Sequence, residues 1–479
     1  MNESVGGKGH NVTTSPMVRN NYCIGCGVCA GVCPSGALSM QVLGDEFRPV
    51  QTGTCLAGCS LCAQVCPFGQ GPDDETTIAA ELYGVQMESD SLLGRFLVTD
   101  AGYVRDEESR RQSASGGAAS LMLARLIESK LADAVVTTMP VAGGFPWYAY
   151  RIITTPGEVA ASRGSIYQPL HLSDVIREML EQPQRRYAVM ALPCYAKALR
   201  KAARRVVALD RCMKFVLGLT CGGSSGFAYP LATAMLAGVS KPQSIRYHVK
   251  SPASHGRLFG FSARDEQGCE KSIGQGGGIA TFLRASRSYR KGCLFCDDIF
   301  AELTDATFMD AWLPQFESDR RGTSLVVIRH AELAELWRQV RQDGIWQDQP
   351  IDPREVIASQ GKLCQFKREL LKVRLDAAMA QGRWTPPKRS FLLNADSSNL
   401  AVKLVRQNER RVAACDTLGE VFGTWFQANC SRRFPPLRAK LMGWRLCSAA
   451  AAILRSCGVR SSSGRWQLFW RGMSNLLSR

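Results

Sequence analysis

The sequence predicts a small cysteine-rich α+β module, a larger α/β domain behind it and a basic helical tail, and three observations predict it. Two cysteine runs of nearly equal spacing fall within residues 20–70, apolar strand-like runs enclose a helical one from about residue 187, and acidic residues cease after Glu420. The chain has 479 residues, 45% of them apolar, enough for two or three domains with separate cores. Its 59 Lys and Arg against 42 Asp and Glu give a net charge of +17, which calls for an acidic partner such as nucleic acid, an anionic membrane or a phosphate-bearing ligand. No run reaches the roughly eighteen apolar residues of a spanning helix. The opening MNESVGGKGHNVTTSP lacks the apolar core of a signal peptide, so 19 cysteines in so long a chain point to a reducing, cytoplasmic compartment and away from disulfides.

Residues 1–19 are expected to be disordered and residues 20–70 to form the cysteine module. Its first run is Cys23-x2-Cys26-x2-Cys29-x3-Cys33-Pro34, the spacing of bacterial ferredoxins, and Cys55-x3-Cys59-x2-Cys62-x3-Cys66-Pro67 repeats it with one extra residue. Closely spaced thiolates wrap one face of a cubane while the glycines between them let backbone amides point at sulfur. The fourth cysteine of each run serves the other cluster in two-cluster ferredoxins. Cys23, Cys26, Cys29 and Cys66 are therefore assigned to one [4Fe-4S] cluster, and Cys55, Cys59, Cys62 and Cys33 to a second. Zinc is the alternative, but zinc sites pair two cysteines with a distant second pair and do not need two compact runs ending in Cys-Pro.

Residues 71–108 read as an acidic connector, from Asp73 to Glu108, which as a charge run is a solvated linker. Ser113-Ala-Ser115-Gly116-Gly117 then leads into an apolar-periodic helix over Leu121 to Lys130 and a strand over Ala134 to Thr138. A Ser/Gly turn opening a helix offers free N–H groups to a phosphate, and it is equally an ordinary helix cap.

From residue 187 the pattern is β-α-β. The strand Tyr187 to Leu192 ends in Pro193-Cys194, Tyr195 to Arg204 is helical, and the strand Lys214 to Thr220 ends in Cys221. Strands joined through one helix are parallel, so Cys194 and Cys221 come to the same sheet edge, where α/β folds bind ligands. Cys293-x2-Cys296-Asp297, after the glycine-rich basic stretch Gly274 to Lys291, completes a four-thiolate set. From spacing alone, packing residues plus a redox pair or half a zinc site is the open alternative. The other cysteines, Cys212, Cys269, Cys364, Cys415, Cys430, Cys447 and Cys457, read as small buried hydrophobes or idle thiols.

Taken in order, the ferredoxin run, Ser113 to Gly117, Gly164-Ser165-Ile166-Tyr167, Pro193-Cys194, Cys221, Cys293-x2-Cys296-Asp297 and Asp305 to Trp312 resemble the beta subunits of coenzyme F420 hydrogenase/dehydrogenase over roughly residues 20–375. The resemblance implies an N-terminal family domain at 109–180 and a C-terminal one at 181–375. It implies a third [4Fe-4S] cluster on Cys194, Cys221, Cys293 and Cys296, and an FAD site lined by Ser113, Ser115, Gly116, Gly117, Ser165 and Tyr167. Met309 stands where the family's Gly-Asp-x-Trp has glycine. The fold class is then a bacterial-ferredoxin-like module followed by an α/β flavoprotein domain.

The function so implied is an iron–sulfur, flavin-dependent oxidoreductase that passes electrons from a ferredoxin-like donor through its clusters to FAD and on to an organic substrate, in polysaccharide biosynthesis or F420-type redox chemistry. The alternative is a non-catalytic electron-transfer subunit docking to a separate enzyme. His248 and Asp297 are the candidate proton donors. Nucleic acid is not expected as a partner, since no recognised nucleic-acid module occurs.

Residues 376–479 form the basic tail, with ten positive and no acidic residues after Glu420. Trp466, Phe469, Trp470, Met473 and Leu477 share one face of a helix. That face suits either the inner, anionic face of a membrane or the protein's own core, and both stay open.

Overall fold

The computed structural model describes residues 13, 15–69, 73–250, 260–274 and 290–389. The amphipathic face at Trp466–Leu477, Cys415, Cys430, Cys447 and Cys457 lie outside the described residues, as does most of the Gly274–Lys291 stretch.

The N-terminal module is built on a hairpin of strands β1 (Leu38–Leu43) and β2 (Glu46–Gln51), antiparallel from Leu38 opposite Gln51 to Leu43 opposite Glu46. Ahead of it, where disorder was expected to residue 19, Pro16–Arg19 form a helical turn that buries Met17. The extra residue of the second cysteine run is absorbed by a turn in which Cys59 N donates to Leu56 O at 3.2 Å. Gly58 takes a φ of +71° there, which glycine adopts at little cost.

The remainder is organised on an eight-stranded mixed sheet. In chain order its strands are β3 (Val98–Val104), β4 (Ala134–Pro140), β5 (Tyr148–Ile153), β6 (Tyr187–Ala191) and β7 (Met213–Leu219). A side sheet intervenes, of β8 (Ser244–Val249), β9 (Gly260–Arg264) and β10 (Glu270–Ile273), before β11 (Ala306–Asp310), β12 (Ser324–Ile328) and β13 (Trp346–Gln349) complete the main one. The spatial order is β13-β3-β12-β11-β7-β6-β4-β5. Strands β4, β6, β7 and β11 are parallel neighbours at its centre, and antiparallel strands flank them. Every residue of β6 is buried, as a central parallel strand covered on both faces requires. Met309 pairs in register with Leu325 and is buried among Leu93, Phe300 and Val327, so this position is an ordinary core residue of β11.

The stretch Asp73 to Glu108 is not a solvated connector. It contains helix α1 (Glu75–Tyr83), capped by the Asp74 carboxylate on Thr77 N at 2.8 Å, and strand β3, which pairs with both β12 and β13. Two of its acidic residues are matched by cations of the next domain. Glu75 meets Lys197 at 3.0 Å and Asp73 meets Arg204 and Arg205 at 2.7 Å each, with both carboxylates buried.

The cysteine module is packed into the α/β domain. Ile24, Val28, Val32, Val65 and Phe68 share one core with Val136, Tyr150, Leu172, Ile176, Tyr195 and Leu199. Polar ties reinforce it: Leu172 N donates to Cys26 O at 2.8 Å, Arg177 Nη2 to Leu38 O at 2.7 Å and Lys201 Nζ to Cys66 O at 3.1 Å. At the far end, helix α7 (Leu370–Ala380) runs through position 376, where the tail was expected to begin, and residues 381–389 continue as a strap. Trp384 of the strap accepts a hydrogen bond at its carbonyl from Tyr22 of the module, at 2.8 Å.

Candidate functional site

The two strands expected to be parallel, β6 and β7, are adjacent and parallel, with Val189 opposite Val216. Cys194 follows β6 in the first turn of helix α5 (Pro193–Ala203), where Pro193 fits because the first helical N–H has no internal partner. Cys221 follows β7, and its N donates to Ile299 O at 3.2 Å. The short helical turn Lys291–Leu294 brings in Cys293 and the loop after it Cys296. The four cysteines line one cavity together with Leu192, Pro193, Tyr195, Gly223, Ser224 and Lys367.

That cavity touches the module. Ile24 and Phe68, one beside each cysteine run, close its wall. Cys26 lies within electrostatic range of Cys194, and Tyr150 and Tyr195 feel both thiols. Within the module, Cys26, Cys29 and Cys66 lie close to one another and to Cys23. Cys33 and Cys62 both pack against Ala30 and Leu38, as does Cys29.

The chemistry of this donor set fits iron–sulfur cores. Burial first, and neighbouring thiolates second, push the thiols of Cys26, Cys29 and Cys194 far up, and that of Cys293 up to about 11. Crowded buried thiols of this kind ionise only against a strong positive charge, which a metal core provides. Among the described residues no three such side chains close on a single ion; a cubane takes one thiolate at each of its irons and so spreads them. Two donors already point at the inner sulfurs. Lys367 Nζ donates to Cys296 Sγ at 3.2 Å and Ser224 N to Cys293 Sγ at 3.4 Å.

Beneath Cys296 is a buried charge network that sequence reading missed. Asp297 is paired by Lys388 at 3.0 Å and Arg389 at 2.8 Å, and Glu302 by Arg368 at 2.7 Å and Arg389 at 2.9 Å. Burial alone would raise the Asp297 carboxyl, but these cations hold it well below the usual range. Asp297, a candidate proton donor, is thus an ion-pair anchor. Its neighbour Asp298 is pushed up to about 7 by burial and by the Glu302 and Glu75 carboxylates. No spacing rule ties Lys367, Lys388 or Arg389 to the Cys293–Cys296 turn, so only the folded chain exposes them as partners.

The residues expected to line a flavin gather around the end of strand β8. Tyr167 OH is 2.8 Å from His248 Nε2 and Ser165 Oγ is 3.3 Å from His248 Nδ1. His248 adopts a φ of +51°, an uncommon and strained conformation for a side chain of this size. Two residues on, Lys250 Nζ donates to the carbonyls of Ser115 at 2.9 Å and Arg110 at 2.7 Å. The two predicted segments are thereby joined. The Ser113 and Ser115 hydroxyls, however, donate within the protein, to Ser109 O at 2.7 Å and Thr323 O at 2.6 Å. A Cβ on Gly116 would lie 2.3 Å from Gly102 O and 2.6 Å from Ser324 N. Gly117, with φ +92°, caps the start of helix α3 (Ala118–Glu128).

Residues 22–70 match the 4Fe-4S dicluster domain family. Residues 100–177 match the N-terminal part of the coenzyme F420 hydrogenase/dehydrogenase beta subunit and residues 184–354 its C-terminal part, together more than half of the chain. Among solved structures, a chain of the F420-reducing [NiFe] hydrogenase complex from Methanosarcina barkeri, in a xenon-derivatised form, is similar at 19% identity and a TM-score of 0.47, over 63% of this chain and 99% of that one. No curated protein matches. Among the described residues no helix is long and apolar enough to cross a membrane. The chain is an iron–sulfur, oxidoreductase-type protein and belongs to the coenzyme F420 hydrogenase/dehydrogenase beta subunit family, with a 4Fe-4S dicluster domain ahead of the two family domains.

Proposed function

We propose that this protein passes electrons inward from a ferredoxin-like donor, through two [4Fe-4S] clusters in the module and a third in the internal cysteine cavity, to FAD and an organic substrate. The clusters supply one-electron transfer and FAD pairs electrons for a two-electron reduction. Cys23, Cys26, Cys29 and Cys66 hold the inner cluster of the module, Cys33, Cys55, Cys59 and Cys62 the outer one, and Cys194, Cys221, Cys293 and Cys296 the third. The observation that carries this reading is that Ile24 and Phe68 of the module line one cavity with Cys194 and share one hydrophobic core with it. The chain's own residues fix distance and exclude water. The shared core immobilises the module, and the strap seals the far side.

The backbone at Gly116–Gly117, with Ser165, Tyr167 and Lys250, would hold the flavin. Lys250 and Arg163 bring positive charge to a site for phosphates, and Tyr167 with His248 forms a hydrogen-bonded pair able to carry a proton. Stopped-flow reduction of the anaerobically isolated full chain by reduced ferredoxin tests the reading. Flavin absorbance should bleach, and Cys26→Ser should slow that bleaching at least tenfold. Bleaching at an unchanged rate would mean that electrons bypass the module.

The family's description as a beta subunit favours a second reading, a relay serving a separate enzyme subunit. Turnover of an organic acceptor by the isolated chain decides against it.

A further inference from the structure

Helix α7 is preceded by one π-helical turn, Gln365–Glu369, that follows a short α-helical turn, Gly361–Cys364. A π turn inserts an extra residue into a helix and re-aims its side chains, and such turns recur at functional sites. Here it points two cations inward, since Lys367 is 1% and Arg368 7% exposed. Arg368 is used by Glu302. Lys367 instead lines the cysteine cavity, with Nζ 3.2 Å from Cys296 Sγ and 2.8 Å from Asp298 O.

We propose that Lys367 sets the reduction potential of the centre held by Cys194, Cys221, Cys293 and Cys296, raising it through a charge-assisted hydrogen bond to Cys296. The proposal rests on the third centre of the preceding section. One electron leaves a cluster of the module, which is oxidised, and enters the internal centre, which is reduced; no bond forms or breaks and no proton is taken up. The internal centre gains a unit of negative charge. A fixed cation touching one of its sulfurs stabilises that reduced state more than the oxidised one, and hydrogen bonds to sulfur are a principal control of cluster potentials. Ser224 N offers only a neutral donor, at 3.4 Å.

The test is an EPR-monitored redox titration of the anaerobically isolated full chain, with the internal centre's signal identified as the one absent from Cys194→Ser. Absence of any such signal in the wild type would refute the third centre itself, before any lysine variant is read. Given the signal, Lys367→Met should keep its iron and bind the electron at least tenfold more weakly, a fall of about 59 mV for one electron. Lys367→Arg should restore most of the loss. An unchanged midpoint in Lys367→Met, or an equal fall in both variants, overturns the proposal. So does loss of the internal iron from Lys367→Met with retention in Lys367→Arg, which would make the lysine a structural prop.

Discussion

Arg389 Nε donates to Asp297 Oδ2 at 2.8 Å, with the two side chains 3% and 2% exposed. The pair joins the last described residues of the chain to the residue that follows Cys296. The same guanidinium reaches both oxygens of Glu302, at 2.9 and 3.0 Å, so one side chain bridges two buried carboxylates, each of which has a second cation in Lys388 or Arg368. Removing one partner of a buried pair leaves an uncompensated charge and costs about 3–5 kcal/mol. Arg389→Ala should therefore lower the thermal midpoint by on the order of 10 °C. Arg389→Lys should recover part of it. A midpoint for Arg389→Ala equal to wild type would show that Lys388 and Arg368 suffice.

Gly116 separates two roles for the Ser/Gly turn. Read from the sequence, the glycine lets the backbone approach a phosphate. In the fold, its missing Cβ is also the space occupied by Gly102 O of β3, and Gly116 O accepts from Val104 N at 2.8 Å. Gly116→Ala should thus destabilise the sheet edge by about 1–3 kcal/mol, as overpacking does, besides weakening flavin retention. Flavin loss with an unchanged thermal midpoint would assign the glycine to the phosphate alone.

What the sequence made legible was whatever local spacing records. The β6-α5-β7 unit, with Cys194 and Cys221 at one sheet edge, follows from two apolar runs around one helical segment and the rule that such crossovers are parallel. The acidic stretch from Asp73 misled because composition averages over it. Val98–Val104 is a strand within it, and Glu75 is buried because Lys197 and Arg389, far along the chain, neutralise it. Lys367 and Arg389 carry no signature at all. A lysine that meets sulfur and one that meets water are the same letter, and only a π turn or a strap decides between them.

Lys250 predicts a pH dependence near the proposed flavin site. Burial, with the Arg110 guanidinium beside it, pushes its pKa down to about 8 from 10.5. Between those values the unfolded chain holds a proton that the folded chain has released. Stability then rises with pH through that window, and below it the buried charge works against the fold. The full span amounts to at most about 3 kcal/mol. Thermal midpoints of wild type measured from about pH 7.5 to 10 should gain relative to those of Lys250→Met. Parallel curves would show that the three carbonyls facing Lys250 hold it fully charged.

The ligand assignment makes a prediction in atoms. Three cubanes contain about twelve iron and twelve acid-labile sulfide per chain, four of each per cluster. Cys26→Ser, Cys62→Ser and Cys296→Ser each disturb a different proposed set, so each should remove about four irons and leave the other two clusters. Cys212 and Cys364 are the controls. Both are buried, but Cys212 packs with Leu209 and Met213 and Cys364 with Val356 and Phe300, each in a hydrophobic core. Serine at either should change the thermal midpoint and leave the iron count alone. Iron and sulfide assays on anaerobic preparations read all five variants. A fully loaded wild type with about eight irons would remove the third cluster, and zinc in place of iron would remove all three.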